Sequence, residues 1–257
     1  MTTGSGPAAA RGPVAAAPAA DRTAELTAAL TGLLDRIAAA CRAAGRDAAS
    51  VQLLPVTKFF PASDIEILYH LGRREFGESR EQEAAAKADR LSGLSPIRWH
   101  MIGSVQRNKA KSVARWAAAV HSVDSERLAI ALDQGVSAAR DAGHRDGPLR
   151  VLLQVSLNRD PGRGGVAPAD LAALADLVEG AENLQLAGLM AIPPLDTDPE
   201  PEFARLAGIH ARLLDAHPGA TELSAGMSGD LEVAIDHGST CVRVGTALMG
   251  SRPITSQ

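Results

Sequence analysis

Eight short apolar runs punctuate this chain, each followed by a helical pattern. The runs are "VQLLPVT" (51–57), "EFGES" (75–79), "RWHMIG" (98–103), "AVHSVD" (119–124), "RVLLQVSL" (150–157), "LAGLMAI" (186–192), "TELSAGM" (221–227) and "VRVGTALMG" (242–250). Helical segments such as "SDIEILYHLG", "REQEAAAKADRL", "SERLAIALDQGVSAARDAG" and "DLAALADLVEG" lie between them. Strands joined through helices pair in parallel, because a parallel return needs a crossover. Eight such units suit closure into one α/β domain, a (β/α)8 barrel of TIM type. An open doubly wound sheet is the structural alternative.

At 257 residues the chain is long enough for one such barrel. Aromatic residues are only 3% of it, so the core must be mostly Ala, Leu, Val and Ile. Before the first run, "DRTAELTAALTGLLDRIAAACRAAG" (21–45) carries Leu26, Leu30, Leu33, Leu34 and Ile37 at three- and four-residue spacing, an extra N-terminal helix with Gly45 as its stop. Residues 1–20 are Ala/Pro/Gly-rich, too weakly apolar for a signal peptide, and read as a disordered tail ahead of a barrel spanning 21–257. The net charge of −4 gives no electrostatic reason to expect nucleic acid, and no run of about 18 apolar residues suggests a membrane span. Cys41 and Cys241 lack metal spacing and read as reduced thiols of a cytoplasmic protein. With no long apolar surface stripe, the expected state is a monomer.

A barrel places its chemistry where strands hand over to the following helices. Lys58 directly follows the first run, and a desolvated amine there can form a Schiff base. Read alone, it could equally be a rim lysine that snorkels or pairs with a carboxylate. Ser228, just after the seventh run, is placed to cap a helix starting at Gly229, an anion site. Gly245 and Thr246 fall late in the eighth run or beyond it, and barrels often bind phosphate between strands seven and eight. Arg243 shares a strand face with Gly245 and points into the mouth, toward either a carboxylate or a ring nitrogen that accepts a hydrogen bond. A Schiff-base lysine, a phosphate cradle and a ring-nitrogen partner together describe pyridoxal 5′-phosphate, PLP.

The blocks "PVTKFFP" (55–61), "EFGES" (75–79), "WHMIGSVQRNK" (99–109), "GLMAIPP" (188–194), "GMSGDLEVAI" (226–235) and "GSTCVRVGTALMG" (238–250) closely resemble the pyridoxal phosphate homeostasis protein family, across roughly residues 25–252. That family is similar to the isolated barrel of alanine racemase. The resemblance implies a covalent aldimine on Lys58, phosphate held by Ser228, Gly245 and Thr246, and Arg243 facing the pyridine nitrogen. It also implies that His100 and Ile102 lie near the cofactor. Asn108 matches the family block but has no assigned role. Ser79 stands where the family often has asparagine. The loop "NRDPGRGGV" (158–166) keeps its Gly-rich character.

Arginine cannot accept a proton from the ring nitrogen, which weakens the electron sink without abolishing chemistry. Racemization also needs an acid–base group on each face of the substrate. In the racemase one is a tyrosine from a further β domain. Here the single tyrosine, Tyr69, falls mid-helix, and the sequence runs only a few residues past the eighth run. The reading is therefore a non-catalytic PLP-binding protein that stores, buffers or delivers this reactive aldehyde in vitamin B6 homeostasis, with no catalytic residue and no metal. Apo forms of PLP-dependent enzymes are its expected recipients. The alternative is a small PLP-dependent racemase or lyase acting on amino acids. The basic stretch "QRNKAKSVAR" (106–115) reads as a solvated helix face, or as a docking point using Lys109 and Lys111.

Overall fold

In the computed structural model the described residues are 17–94, 96–157, 164–194 and 197–251. The expected disordered tail (1–20) therefore lies mostly outside them. A long helix α1 (Ala17–Ala43) leads into β1 (Gln52–Pro55), α2 (Ala62–His70), β2 (Glu75–Glu78), α3 (Glu81–Arg90) and β3 (Arg98–Met101). The chain continues through α4 (Ala110–Trp116), β4 (Ala117–Val123), α5 (Glu126–Asp141), β5 (Leu149–Gln154), α6 (Leu171–Glu179) and β6 (Leu184–Met190). It ends with α7 (Pro199–Ala216), β7 (Glu222–Ser224), α8 (Leu231–Asp236), β8 (Cys241–Val244) and α9 (Thr246–Met249). Eight parallel strands follow the order β1-β8-β7-β6-β5-β4-β3-β2, the rolled sheet of a (β/α)8 barrel. Its ends meet through one parallel bridge, Val56 with Gly77.

Alternation along each strand sorts residues into two cores. Outward-facing Leu53, Phe76, Trp99, Val242 and Val244 pack beneath α1, α2 and α8, and Val120, Val151, Leu153, Leu189 and Leu223 beneath α4–α7. Inside the barrel the apolar cluster is small: Leu152, Ala187 and Met190. In α1, Leu26, Leu30, Leu33 and Ile37 are buried as their spacing requires, whereas Leu34 falls off the stripe and is exposed.

The eighth run is a strand only to Val244. Gly245 (φ −103°, ψ −82°) leaves extended geometry, and the rest becomes α9. Gly226 turns the chain out of β7 at φ +90°, where a Cβ would lie 2.6 Å from Ala234 Cβ, so only glycine fits.

Candidate active site

The strand-end residues converge at the C-terminal mouth of the barrel. A cavity of about 450 Å³ is lined there by Lys58, Ile102, Ser228, Arg243, Gly245 and Thr246, six of the seven residues read from the sequence. Ser79, left out of that reading, lines it too, and Val56 and Ile192 supply apolar wall. A wider groove of about 630 Å³ between α4 and α5 contains Asn108 and Lys111 but none of the strand-end residues. Lys109 pairs with Glu81 at 3.4 Å, so its charge is engaged on the barrel flank.

Lys58 is half-buried, facing the cavity, with no carboxylate partner among the described residues. Its backbone is gripped from outside the barrel. Lys87 Nζ, on α3, donates to Thr57 O at 2.9 Å, Glu78 Oε1 at 2.8 Å and Glu83 Oε1 at 2.7 Å. Thr57 Oγ1 donates to Glu78 Oε1 at 2.6 Å, and Phe59 N–H to Glu83 Oε1 at 2.7 Å. The carbonyl before Lys58 and the N–H after it are thus both tied to one buried ionic cluster. Phe59 sits at φ +70°, a strained conformation for a bulky residue that this cluster holds in place. Burial raises the Glu78 pKa, outweighing the opposing attraction of Lys87.

The loops after β7 and β8 form the opposite wall. Ser228 does not cap a helix starting at Gly229. Helix α8 begins at Leu231, with Asp230 at its N-cap, and Asp230 Oδ1 accepts instead from Met227 N–H at 2.6 Å. Ser228 Oγ reaches across to accept from Ala247 N–H at 3.4 Å, linking the two loops. The backbone N–H groups of Gly229 and Thr246 have no acceptor among the described residues, and both residues are exposed. A Cβ on Gly245 would meet Val56 at an ordinary 3.6 Å, so the fold does not demand glycine there, and its missing side chain leaves room in the cavity.

Helix α1 braces this wall. Arg36 bonds Glu232 at 2.8 and 2.9 Å and Ser228 O at 3.3 Å. Arg22 bonds Asp64 at 2.7 Å and Met249 O at 2.9 Å. Neither arginine stands out in the sequence from the many on helix faces.

Arg243 lies beneath the mouth, almost fully buried. The carboxylate considered as its partner is absent among the described residues. Nη1 donates to Ser224 Oγ at 2.8 Å and Nη2 to Ala191 O at 2.9 Å. Burial lowers its pKa, yet a guanidinium stays charged. His100 does not line the cavity. It faces the barrel interior lower down, where its Nδ1 is 2.9 Å from His121 Nε2. Tyr69 on α2 is also outside the cavity, with Arg74 stacked over its ring at 3.9 Å. Of the loop 158–166, residues 158–163 lie outside the described residues. No group of three or more His, Cys, Asp or Glu among the described residues could hold a metal.

Residues 33–253 match the family model "Alanine racemase, N-terminal domain". The pyridoxal phosphate homeostasis protein of Mycobacterium bovis is 52% identical over 248 residues, covering 92% of this chain and 96% of the relative. PipY of Synechococcus elongatus, solved with PLP bound, is 39% identical with a TM-score of 0.71, covering 78% of this chain and 93% of PipY. A protein from Bifidobacterium adolescentis described as unknown is 34% identical with a TM-score of 0.81, covering 89% of this chain and 96% of the other. A barrel with a lysine after β1, a buried arginine on β8 and two facing hydroxyl loops thus meets relatives matched over nearly their whole length, and the chain belongs to the pyridoxal phosphate homeostasis protein family.

Proposed function

We propose that this protein binds pyridoxal 5′-phosphate at the barrel mouth and serves intracellular PLP homeostasis, holding the cofactor covalently as an aldimine on Lys58. The observation that carries this reading is the convergence of Lys58, Arg243 and the Ser228 and Thr246 loops in one cavity. A planar ring with an anionic arm fits it: apolar Val56, Ile102 and Ile192 for the ring, and two hydroxyls and the N–H groups of Gly229 and Thr246 for the phosphate. When bound, the cofactor supplies an aldehyde for amines and an electron-withdrawing ring.

The chain's own residues hold this group and add little else. Among the described lining residues, Lys58 and Arg243 are the only ones with ionisable side chains; there is no His, Asp, Glu, Cys or Tyr. Arg243 can donate to a ring nitrogen but cannot protonate it fully and then take the proton back. Among the described lining residues only Lys58 could act as a base, and no second acid–base group lies opposite it. These features support a protein that buffers or delivers PLP, with apo forms of PLP-dependent enzymes as recipients, rather than one that turns over amino acids. Both cysteines are free and buried; we take the protein to act as a monomer in the cytoplasm. Among the described residues no helix is long and apolar enough to cross a membrane.

The test is borohydride reduction of PLP-loaded protein followed by peptide mass mapping. The pyridoxyl mass is expected on the peptide containing Lys58 and absent in Lys58→Ala. Label on a different lysine would overturn the assignment. Inversion or deamination of amino acids at enzymatic rates would overturn the non-catalytic reading.

A further inference from the structure

Below the cavity the barrel is polar where such interiors are usually branched aliphatic. Arg243, Ser224, His121 and His100 are each more than nine-tenths buried. Arg243 Nη1 lies 2.8 Å from Ser224 Oγ, which is 2.9 Å from His121 Nδ1. His121 Nε2 is 2.9 Å from His100 Nδ1. His100 Nε2 then lies 3.2 Å from Glu75 Oε2 without forming a hydrogen bond, and it has no hydrogen-bond partner among the described residues. The series starts on β8 at the cavity, passes through β7, β4 and β3, and ends on β2. At that far end Glu75 is paired with Arg98 and accepts from Gln52.

The two ends dictate the direction. A guanidinium only donates and an ionised carboxylate only accepts. The Glu75 carboxylate beside His100 therefore favours the proton on Nε2, which leaves Nδ1 an acceptor. His121 must donate from Nε2 to His100, so its own Nδ1 accepts. Ser224 then accepts from Arg243 and gives its single proton to His121. Turning that proton toward Cys241 instead would reverse both imidazoles. An unprotonated nitrogen, or a buried imidazolium, would then face Glu75.

We propose that Ser224, His121 and His100 are positioning residues for Arg243, forming a one-way hydrogen-bond chain that fixes its guanidinium under the cavity and links it to Glu75 as a remote counter-charge. Both histidines are neutral, with the proton on Nε2. Burial is the main force against charging them, joined for His121 by neighbouring Arg243. Arg150 on β5 and Arg98 on β3 add to it, opposed by Glu222 on β7. Two of Arg243's five N–H groups are committed to Ser224 and Ala191, which leaves the others to a ligand ring. The role in ligand placement rests on the PLP reading above; the chain itself does not.

The test has two arms. In the first, ¹⁵N-histidine-labelled full-length protein without PLP is followed by two-bond ¹H–¹⁵N spectra from about pH 5.5 to 8, the range where a free imidazole titrates. His100→Gln and His121→Gln assign the signals. Both imidazoles should keep a bare Nδ1 and a protonated Nε2 throughout. An Nδ1–H tautomer, or conversion to imidazolium near pH 6.5, would overturn the chain. In the second arm PLP dissociation constants are measured for His121→Leu and His121→Gln. Glutamine can accept from Ser224 and donate to His100, so it should stay within about threefold of wild type, while leucine should weaken binding about tenfold, because it leaves the Ser224 proton and the His100 acceptor unpaired in a buried site. Equal affinities for the folded leucine variant and wild type would overturn the positioning role. Wild type that takes up no PLP at Lys58 would instead count against the cofactor reading, and the tautomer result would still decide the chain.

Discussion

Replacing Lys87 by methionine should damage this protein more than any surface lysine could. The side chain is 8% exposed and donates to three oxygens. Methionine keeps much of the volume but removes the charge. Glu78, with no exposure and one carboxylate oxygen already without a partner among the described residues, would lose the one cation they pair with it. Breaking a buried ion pair from one side destabilises by about 3–5 kcal/mol. For a chain of this size each kcal/mol shifts the melting temperature by about 2–4 °C, so a drop of roughly 6–20 °C is expected. Urea unfolding with a two-state fit is the measurement. Adding Glu78→Gln should recover part of the loss, because a neutral amide does not need the cation. A loss under about 1 kcal/mol, the range of exposed pairs, would show that water reaches this cluster and that it does not grip the Lys58 backbone.

Ser228→Ala with Thr246→Ala should weaken PLP by two or more decades and pyridoxal far less, since hydrogen bonds to a charged group contribute about 1.5–3 kcal/mol each; equal weakening in parallel titrations would place the hydroxyls away from the phosphate. Stability should fall as the solution is acidified. His100 is depressed from its ordinary 6.5 to about 3 and His121 is well below 6.5, both chiefly by burial. The unfolded chain therefore binds protons that the folded chain does not. This stabilisation is complete above pH 6.5 and is lost as pH falls toward the folded-state values, about 2 kcal/mol by pH 5 for His100 alone. A flat profile between pH 8 and 5 in wild type, or an equal slope in a His100→Gln, His121→Gln double variant, would assign the acid sensitivity elsewhere.

Much of the site is legible in the chain because a parallel barrel puts every strand end on one face. Lys58, Ile102, Arg243, Gly245 and Thr246 need only the correct strand boundaries to be brought together. Period-two alternation sends His100 into the barrel but says nothing of depth along the axis, and it sits below the cavity. Ser228 precedes a glycine and an aspartate, a pattern that suggests a serine cap. Asp230 takes the N-cap position and turns its carboxylate back to Met227, which leaves the serine free to join the next loop. Lys87 is the hardest to see. In "EQEAAAKADR" it reads as one more solvated helix charge, and only the i,i+4 spacing from Glu83 hints at a pair. Its burial is decided by the Glu78 side chain, nine residues away and on another element.

The line between β1 and β2 is where this barrel closes, through a single bridge. The backbone contact there is the Val56–Gly77 bridge and the Thr57 N–H to Gly77 bond, and the β7–β8 pairing is similarly short, with the one register pair Ser224–Cys241. Side chains fasten the joint instead: Thr57 to Glu78 with Lys87 on the outside, and Gln52 to Glu75 at the base. Lys58, Arg243 and Thr246 ride on β1 and β8, one side of that line. Ser79, Ile102 and Gly103 ride past the ends of β2 and β3, the other side. Opening the barrel along this line would cost one bridge and these side-chain bonds, and it would separate the lysine and the loops after β8 from the wall that Ser79, Ile102 and Gly103 supply.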